Sequence, residues 1–322
     1  MPFCPRCGAR VEEGDAYCWN CGLPLDVIYM LRRRPVAPPP NLTSAIKEAY
    51  LSLFRPSPHI MYPTEAVYEK IPEYTPIKKY LIIGIVFVVV GLTLTTFGTW
   101  IRRLGFTLAA FTSPLLLLFW MYRNDRYEQE PISLVAFTFG WGVISTFIAL
   151  LINTYMGWPA PFAALSEEPA KAIGLYWLAR HKTLGKEFND HLDGMVYGAA
   201  VGAGFAGTEN ILYIAHFAPL VGALTIILIR SLSPITHIIC TALVGRSLGL
   251  AKVRKGEIHP TDIIPGLLVA MTLHALWNAA NILSLTVLFP LYIASFAKLI
   301  REARRDELLW GYARGLAPKE QK

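Results

Sequence analysis

Charge is what this sequence has least of. Only 16% of its 322 residues are Asp, Glu, Lys or Arg, where a soluble domain carries about 25%. Hydrophobic residues make up 54%, and mean hydropathy is +0.40. That balance excludes an ordinary soluble domain and points to a membrane protein. Cysteine is scarce too: there are five, and four fall within the first 21 residues. No basic-then-apolar leader opens the chain, so no secretory signal peptide is expected. The HExxH signature of many zinc peptidases is absent, and no inverted repeat relates the two halves, which weighs against a transporter.

What is present begins with "CPRCGARVEEGDAYCWNC". Cys4, Cys7, Cys18 and Cys21 form two CxxC knuckles ten residues apart, each followed by glycine (Gly8, Gly22). A CxxC turn aims two thiolates at one ion, and a second knuckle completes a tetrahedral set. Some 25 residues bury too little to fold alone, so the metal would supply the folding energy. The segment resembles a short zinc ribbon over residues 1–24, a closed and therefore structural Zn²⁺ site. Thiolate zinc favours a reducing compartment, hence a cytoplasmic N-terminus. Cys240 lies in an apolar helix and reads as packing. Residues 25–79 hold the basic run "RRRPVAPPP" and a linker rich in Pro and Tyr.

Apolar stretches long enough for a bilayer core fall at 80–99, 105–122, 131–155, 158–179, 194–216, 219–250, 262–281 and 283–301. The fold class is therefore an all-α polytopic membrane protein of about eight transmembrane helices behind a zinc ribbon. Its core spans 80–301 and its charged tail 302–322. The segment 219–250 is too long for one span, and Pro234 divides it into a short piece (219–230) and a true span (234–251). Lys78, Lys79, Arg123, Arg126, Arg180, Lys182, Lys186, Arg246, Lys252, Arg254, Lys255, Arg301, Arg304 and Arg305 collect at alternate ends of the spans. The loops "NTYMGWPAP", "HFAPL" and "NAAN" carry no basic residue, and only Arg102 and Arg103 dissent. The positive-inside rule then puts the chain in the cell membrane as a multi-pass protein with both termini cytoplasmic.

The segment "FAALSEEPAKAIGLYWLA" (162–179) reads as a span, yet carries Glu167, Glu168, Pro169 and Lys171. Carboxylates in hydrocarbon cost a few kcal/mol each, about 2.5–3.5 on insertion scales. Glu209, Arg230, His237, His274 and Asn278 fall inside other spans, and "HALWN" puts His274 and Asn278 on one helical face at i, i+4. At about 1.5 Å per residue, the predicted edges set the three glutamates, the two histidines and Asn278 in one layer roughly 5–15 Å below the outer surface. Each has a plain reading: a lysine partner, an interhelical hydrogen bond, a snorkelling arginine. Scattered structural groups would not need to share a depth. Gly194, Gly198 and Gly202 form a small-residue stripe for close helix packing.

Four boxes occur in order on successive helices: "EEPAK", "DGMVYGAAVGAGFAGTEN", "RSLSPITH" followed by Gly245 and Gly249, and "HALWN". Over about residues 80–300 they resemble the PrsW family of intramembrane proteases, a branch of the CAAX-processing and bacteriocin-processing endopeptidases. The wider superfamily often has histidine where this chain has Glu209. The resemblance implies hydrolysis of a peptide bond in a membrane-anchored protein near the outer leaflet. Anti-sigma factors are the known kind of substrate in bacterial members. The ribbon would serve a cytoplasmic protein partner, and beyond it nothing points to nucleic acid.

Two chemistries stay open. In the first, of glutamate type, Glu167 is the general base with Glu168 coupled to it, or the reverse, and Lys171 steadies the charge. His237 and Glu209 assist, His274 and Asn278 donate to the oxyanion, and Arg230 supports the broken helix. In the second, a catalytic Zn²⁺ is held by Glu168, Glu209, His237 and His274. An ion- or proton-coupled transporter using the same set is the competing class.

Overall fold

A computed structural model of the chain describes residues 78–125, 129–255, 257–279 and 283–310. The four clustered cysteines, the linker and the end of the tail lie outside the described residues. Within them the chain is helical, with no strand. Nine α-helices follow in order: α1 Lys78–Leu94, α2 Thr99–Asn124, α3 Ile132–Met156, α4 Ala164–Arg180, α5 His191–Val221, α6 Ala223–Leu232, α7 Pro234–Lys255, α8 Ile263–Ala279 and α9 Phe289–Trp310. Four stretches are long and apolar enough to cross a membrane: Thr99–Asn124, Ile132–Met156, Ala223–Lys252 and Pro260–Ala279; Tyr80–Leu94 is apolar but shorter. Large apolar side chains of α1, α2 and α3, such as Ile82, Ile85, Phe119 and Leu151, face outward. That is the expected surface of a helix in lipid rather than in water.

α5 is the centre of the bundle. Every residue from His191 to Thr208 is buried, because glycines let three neighbours approach its backbone. Facing α7, a Cβ on Gly245 would stand 1.8 Å from the Gly194 carbonyl oxygen, and one on Gly202 2.6 Å from the His237 carbonyl oxygen. Facing α3, a Cβ on Gly204 would stand 2.1 Å from the Phe139 carbonyl oxygen. The predicted glycine stripe is thus a backbone-to-backbone seam, and it fixes the level of His237 against Glu209.

Among the boundaries that differ from the sequence expectation, three lie around the polar cluster. α4 does not begin at residue 158: α3 ends on Gly157 (φ +60°), whose N–H donates to the Asn153 carbonyl, and a 3₁₀ turn, Ala160–Ala163, precedes α4. Glu167 therefore sits in the first turn of α4, closer to the helix end than in a span that begins at residue 158. α5 continues past Pro219 and breaks at Gly222 (φ +87°), a left-handed position that favours glycine. The short piece is accordingly 223–232, not 219–230. The break before Pro234 falls where expected, with proline as the first residue of α7.

At the opposite end from Glu209, α5 starts on a reciprocal cap. Asp190 accepts from the N–H groups of Leu192 and Asp193, while Asp193 accepts from those of Asn189 and Asp190. Glu130, in the α2–α3 connection, bonds the Asp193 carboxyl and accepts from the Tyr197 hydroxyl. Burial, with Asp193 beside it, pushes Glu130 up to about 12, so it is a neutral proton donor at pH 7. Burial raises Asp190 to about 7 and Asp193 to about 6. Their unfolded values are near 3.8, so between about pH 4 and 7 the native state binds more protons than the unfolded chain. Stability is then expected to fall as pH rises through that window. Thermal midpoints in detergent from pH 4 to 7.5 check this, and a midpoint that rises with pH would contradict it. Glu130→Gln, whose amide can donate and accept in the same places, is expected to leave the pH 7 midpoint within a few degrees of wild type.

Candidate active site

Adjacent residues on a helix point about 100° apart, so the two glutamates of α4 meet different neighbours. Glu168 is fully buried. Its Oε1 accepts from Lys171 Nζ at 2.5 Å and lies 2.7 Å from His274 Nδ1 on α8. Since an ionised carboxylate only accepts, His274 Nδ1 is the donor to Glu168, and Nε2 is the nitrogen turned toward Glu167. That nitrogen lies 3.6 Å from Glu167 Oε2. Glu167 Oε1 accepts from Asn153 Nδ2 on α3 at 3.2 Å, whereas the buried Oε2 has no hydrogen-bond partner.

His237, in the first turn of α7, stands edge-on to His274 with ring centres 4.7 Å apart. Its Nε2 is 3.0 Å from Glu209 Oε2 and its Nδ1 is 3.2 Å from Lys171 Nζ. The Lys171 ammonium also lies over the Phe205 ring, 4.4 Å from its centre. Glu209 is paired with Arg230 of α6. Arg230 Nε donates to Asn210 Oδ1 at 2.9 Å, and Asn210 Nδ2 returns bonds to the Arg230 and Ala110 carbonyls. Arg230 crosses the Tyr213 face at 4.1 Å. Glu167, Glu168, Lys171, Glu209, Arg230, His237 and His274 are thus one contiguous set, contributed by α4, α5, α6, α7 and α8.

Asn278 bonds outside this set. Its amide donates to the Ala160 carbonyl at 3.0 Å, tying α8 to the turn before α4. Pro169 removes one helix hydrogen bond, the donor to the Leu165 carbonyl. Just beyond it, Trp141 Nε1 of α3 donates to the Ala170 carbonyl at 3.1 Å.

One atom each from Glu167, His237 and His274 lie within 4.8 Å of one another. Ligand atoms of a tetrahedral ion with bonds of about 2.0–2.1 Å are about 3.3 Å apart, so the trio is slightly wide of a closed site. The donor chemistry fits a divalent cation. Glu167 Oε2 lacks a hydrogen-bond partner beside His274 Nε2, and each imidazole has a carboxylate on one nitrogen, Glu168 on His274 Nδ1 and Glu209 on His237 Nε2. That outer-carboxylate arrangement is usual around metal-binding histidines. The trio differs from the ligand set expected from sequence: Glu167 faces the histidines directly, while Glu168 and Glu209 stand behind them. Sequence reasoning missed Asn153 and its partner Ser166 altogether. Asn153 sits in "NTYMGWPAP", which drew notice only for lacking basic residues.

Fold and site together define a class, a helical membrane protein with carboxylates and imidazoles gathered in its interior. The profile described as "PrsW family intramembrane metalloprotease" matches residues 130–300, more than half of the chain. The chain belongs to the PrsW family. It is 27% identical over 179 residues to Protease PrsW of Bacillus subtilis, covering 53% of this chain and 79% of that protein. It is 33% identical over 147 residues to Protease PrsW of Geobacillus kaustophilus, covering 42% and 62%. A zinc-ribbon domain profile matches residues 3–25. No solved structure matches. The protein is an intramembrane endopeptidase, and the transporter reading is not supported.

Proposed function

We propose that the endopeptidase cuts a membrane-anchored protein on the outer-leaflet side, and that Glu167, His237 and His274 hold one divalent cation at the reaction centre. The observation that carries this is Glu167 Oε2, buried without a hydrogen-bond partner and 3.6 Å from His274 Nε2. A charge count agrees. At formal charges, with both imidazoles neutral, Glu167, Glu168 and Glu209 against Lys171 and Arg230 leave one negative charge in the interior, which a cation would offset. Such an ion, when bound, polarises the scissile carbonyl and acidifies water.

The chain's own groups do the rest. Glu168 keeps the proton on His274 Nδ1 and so aims Nε2 at Glu167. Glu209, anchored by Arg230, accepts from His237 Nε2–H and leaves Nδ1 as the lone-pair nitrogen. Lys171 Nζ now lies 3.2 Å from that nitrogen but has Glu168 as its nearer partner, so it can leave His237 without losing its ion pair. From there the ammonium is placed to stabilise negative charge on the carbonyl oxygen. The sequence assigns the same part to Asn278, whose amide donates to the Ala160 carbonyl. The four cysteines are assigned a structural Zn²⁺, and the ribbon a cytoplasmic protein partner. A multi-pass course with both termini cytoplasmic rests on the distribution of basic residues. By the same rule the non-basic ends of α4, α5, α7 and α8, where the cluster lies, face out. A single-span protein of the anti-sigma-factor kind would be the substrate.

Purified full-length protein in liposomes, given a panel of single-span substrates, tests the proposal. Cleavage is expected, abolished by a chelator and restored by Zn²⁺. Cleavage that persists in chelator would overturn the metal assignment and leave the glutamate-type chemistry, with Glu167 acting on water directly.

A further inference from the structure

The metal reading depends on Glu167 presenting one particular oxygen, yet a glutamate side chain has three rotatable bonds. What holds it comes from a different helix. Asn153 Nδ2 donates to Glu167 Oε1 at 3.2 Å. The Asn153 amide is itself oriented, because the Ser166 hydroxyl, next to Glu167 in sequence, is 2.5 Å from Asn153 Oδ1 and donates to it. Ser166 Oγ also lies 2.9 Å from the Ala163 carbonyl. The Asn153 backbone is fixed in turn, since its carbonyl accepts from Gly157 N–H in the left-handed cap that ends α3.

We infer that Asn153 is a positioning residue for the reaction. By holding Glu167 Oε1 it directs Oε2 toward His274 and sets the distance at which the Glu167–His274 pair can share a cation or a water. The inference rests on the reading of Glu167 given above. Only an amide suits the place, since it must accept from Ser166 with one atom and donate to a carboxylate with the other. Aspartate there would set two carboxylates against each other.

The test uses full-length wild type, Asn153→Ala, Asn153→Asp, Ser166→Ala and Glu167→Gln. For each, kcat and KM on a single-span substrate, the thermal midpoint and cobalt binding are measured. Cobalt in the cysteine site gives an intense thiolate charge-transfer band, while a Glu/His site gives only weak ligand-field bands, so the two are read separately. Asn153→Ala and Asn153→Asp are expected to lower kcat by about 10–100-fold, Asp the more. KM should stay within about twofold of wild type, as for an interaction made in the transition state. The Glu/His bands are expected to require about tenfold more cobalt, with the thiolate band and the midpoint unchanged. Ser166→Ala should lie between these and wild type. A kcat within about twofold of wild type in Asn153→Ala, beside an inactive Glu167→Gln, would overturn the inference. So would a kcat loss fully matched by a lower midpoint. Activity retained in Glu167→Gln would instead remove the reading on which the inference stands.

Discussion

Glu167→Gln is expected to reduce kcat for peptide cleavage by about 10³-fold or more while the protein stays folded. The amide is isosteric, and Asn153 can still meet its oxygen, so little packing changes. What is lost is the anionic oxygen facing His274 Nε2, and with it either a cation ligand or a proton acceptor. Glu168→Gln is expected to behave differently. It leaves Lys171 buried without its closest partner and frees the tautomer of His274, so stability and activity should fall together. Measuring kcat beside the thermal midpoint separates the two. Equal losses of stability in both variants would contradict the division of labour between the glutamates.

The second large effect is expected at Lys171. Its side chain is fully buried, 2.5 Å from Glu168 and 3.2 Å from His237. Lys171→Met removes the ammonium and leaves the Glu168 carboxylate buried without its ion-pair partner, a cost of about 3–5 kcal/mol. Denaturation midpoints in detergent should show it. Because the two residues form one pair, Lys171→Met with Glu168→Gln should recover much of that loss, a coupling that independent sites would not show. Cleavage should not recover, since neither the ammonium near His237 nor the acceptor on His274 Nδ1 returns. A double variant as unstable as the two losses added would contradict the pairing.

The sequence carried the architecture well where hydrophobic length and special residues decide it. The apolar segments foretold a helical bundle, Pro234 marked the start of α7, and the glycines of α5 marked its packing face. The cysteine spacing gave a ribbon that a domain profile also matches over residues 3–25. Ends of helices set by tertiary contacts were harder to read. Nothing local announces that Gly157 caps α3, so that α4 starts late, or that α5 passes Pro219 to break at Gly222.

The site was legible as a set but not as a geometry. Intramembrane cost singled out Glu167, Glu168, Glu209, His237 and His274, and the structure brings them together. Which of two adjacent glutamates faces the histidines depends on helix rotation, which spacing along one helix leaves undetermined. Asn153 was invisible for another reason. An asparagine at the end of a span costs little, and its role exists only through contact with a helix not yet placed. The Glu130–Asp193 pair at the opposite end was missed likewise, since its partners are 63 residues apart in sequence.

The most direct measurement of the central claim is metal content per chain in two full-length proteins, wild type and His237→Ala/His274→Ala, purified in parallel without added metal or chelator. Both keep Cys4, Cys7, Cys18 and Cys21, so the ribbon contributes equally. One ion fewer is expected in the variant. The same count in both would contradict it and leave Glu167 to work on water alone.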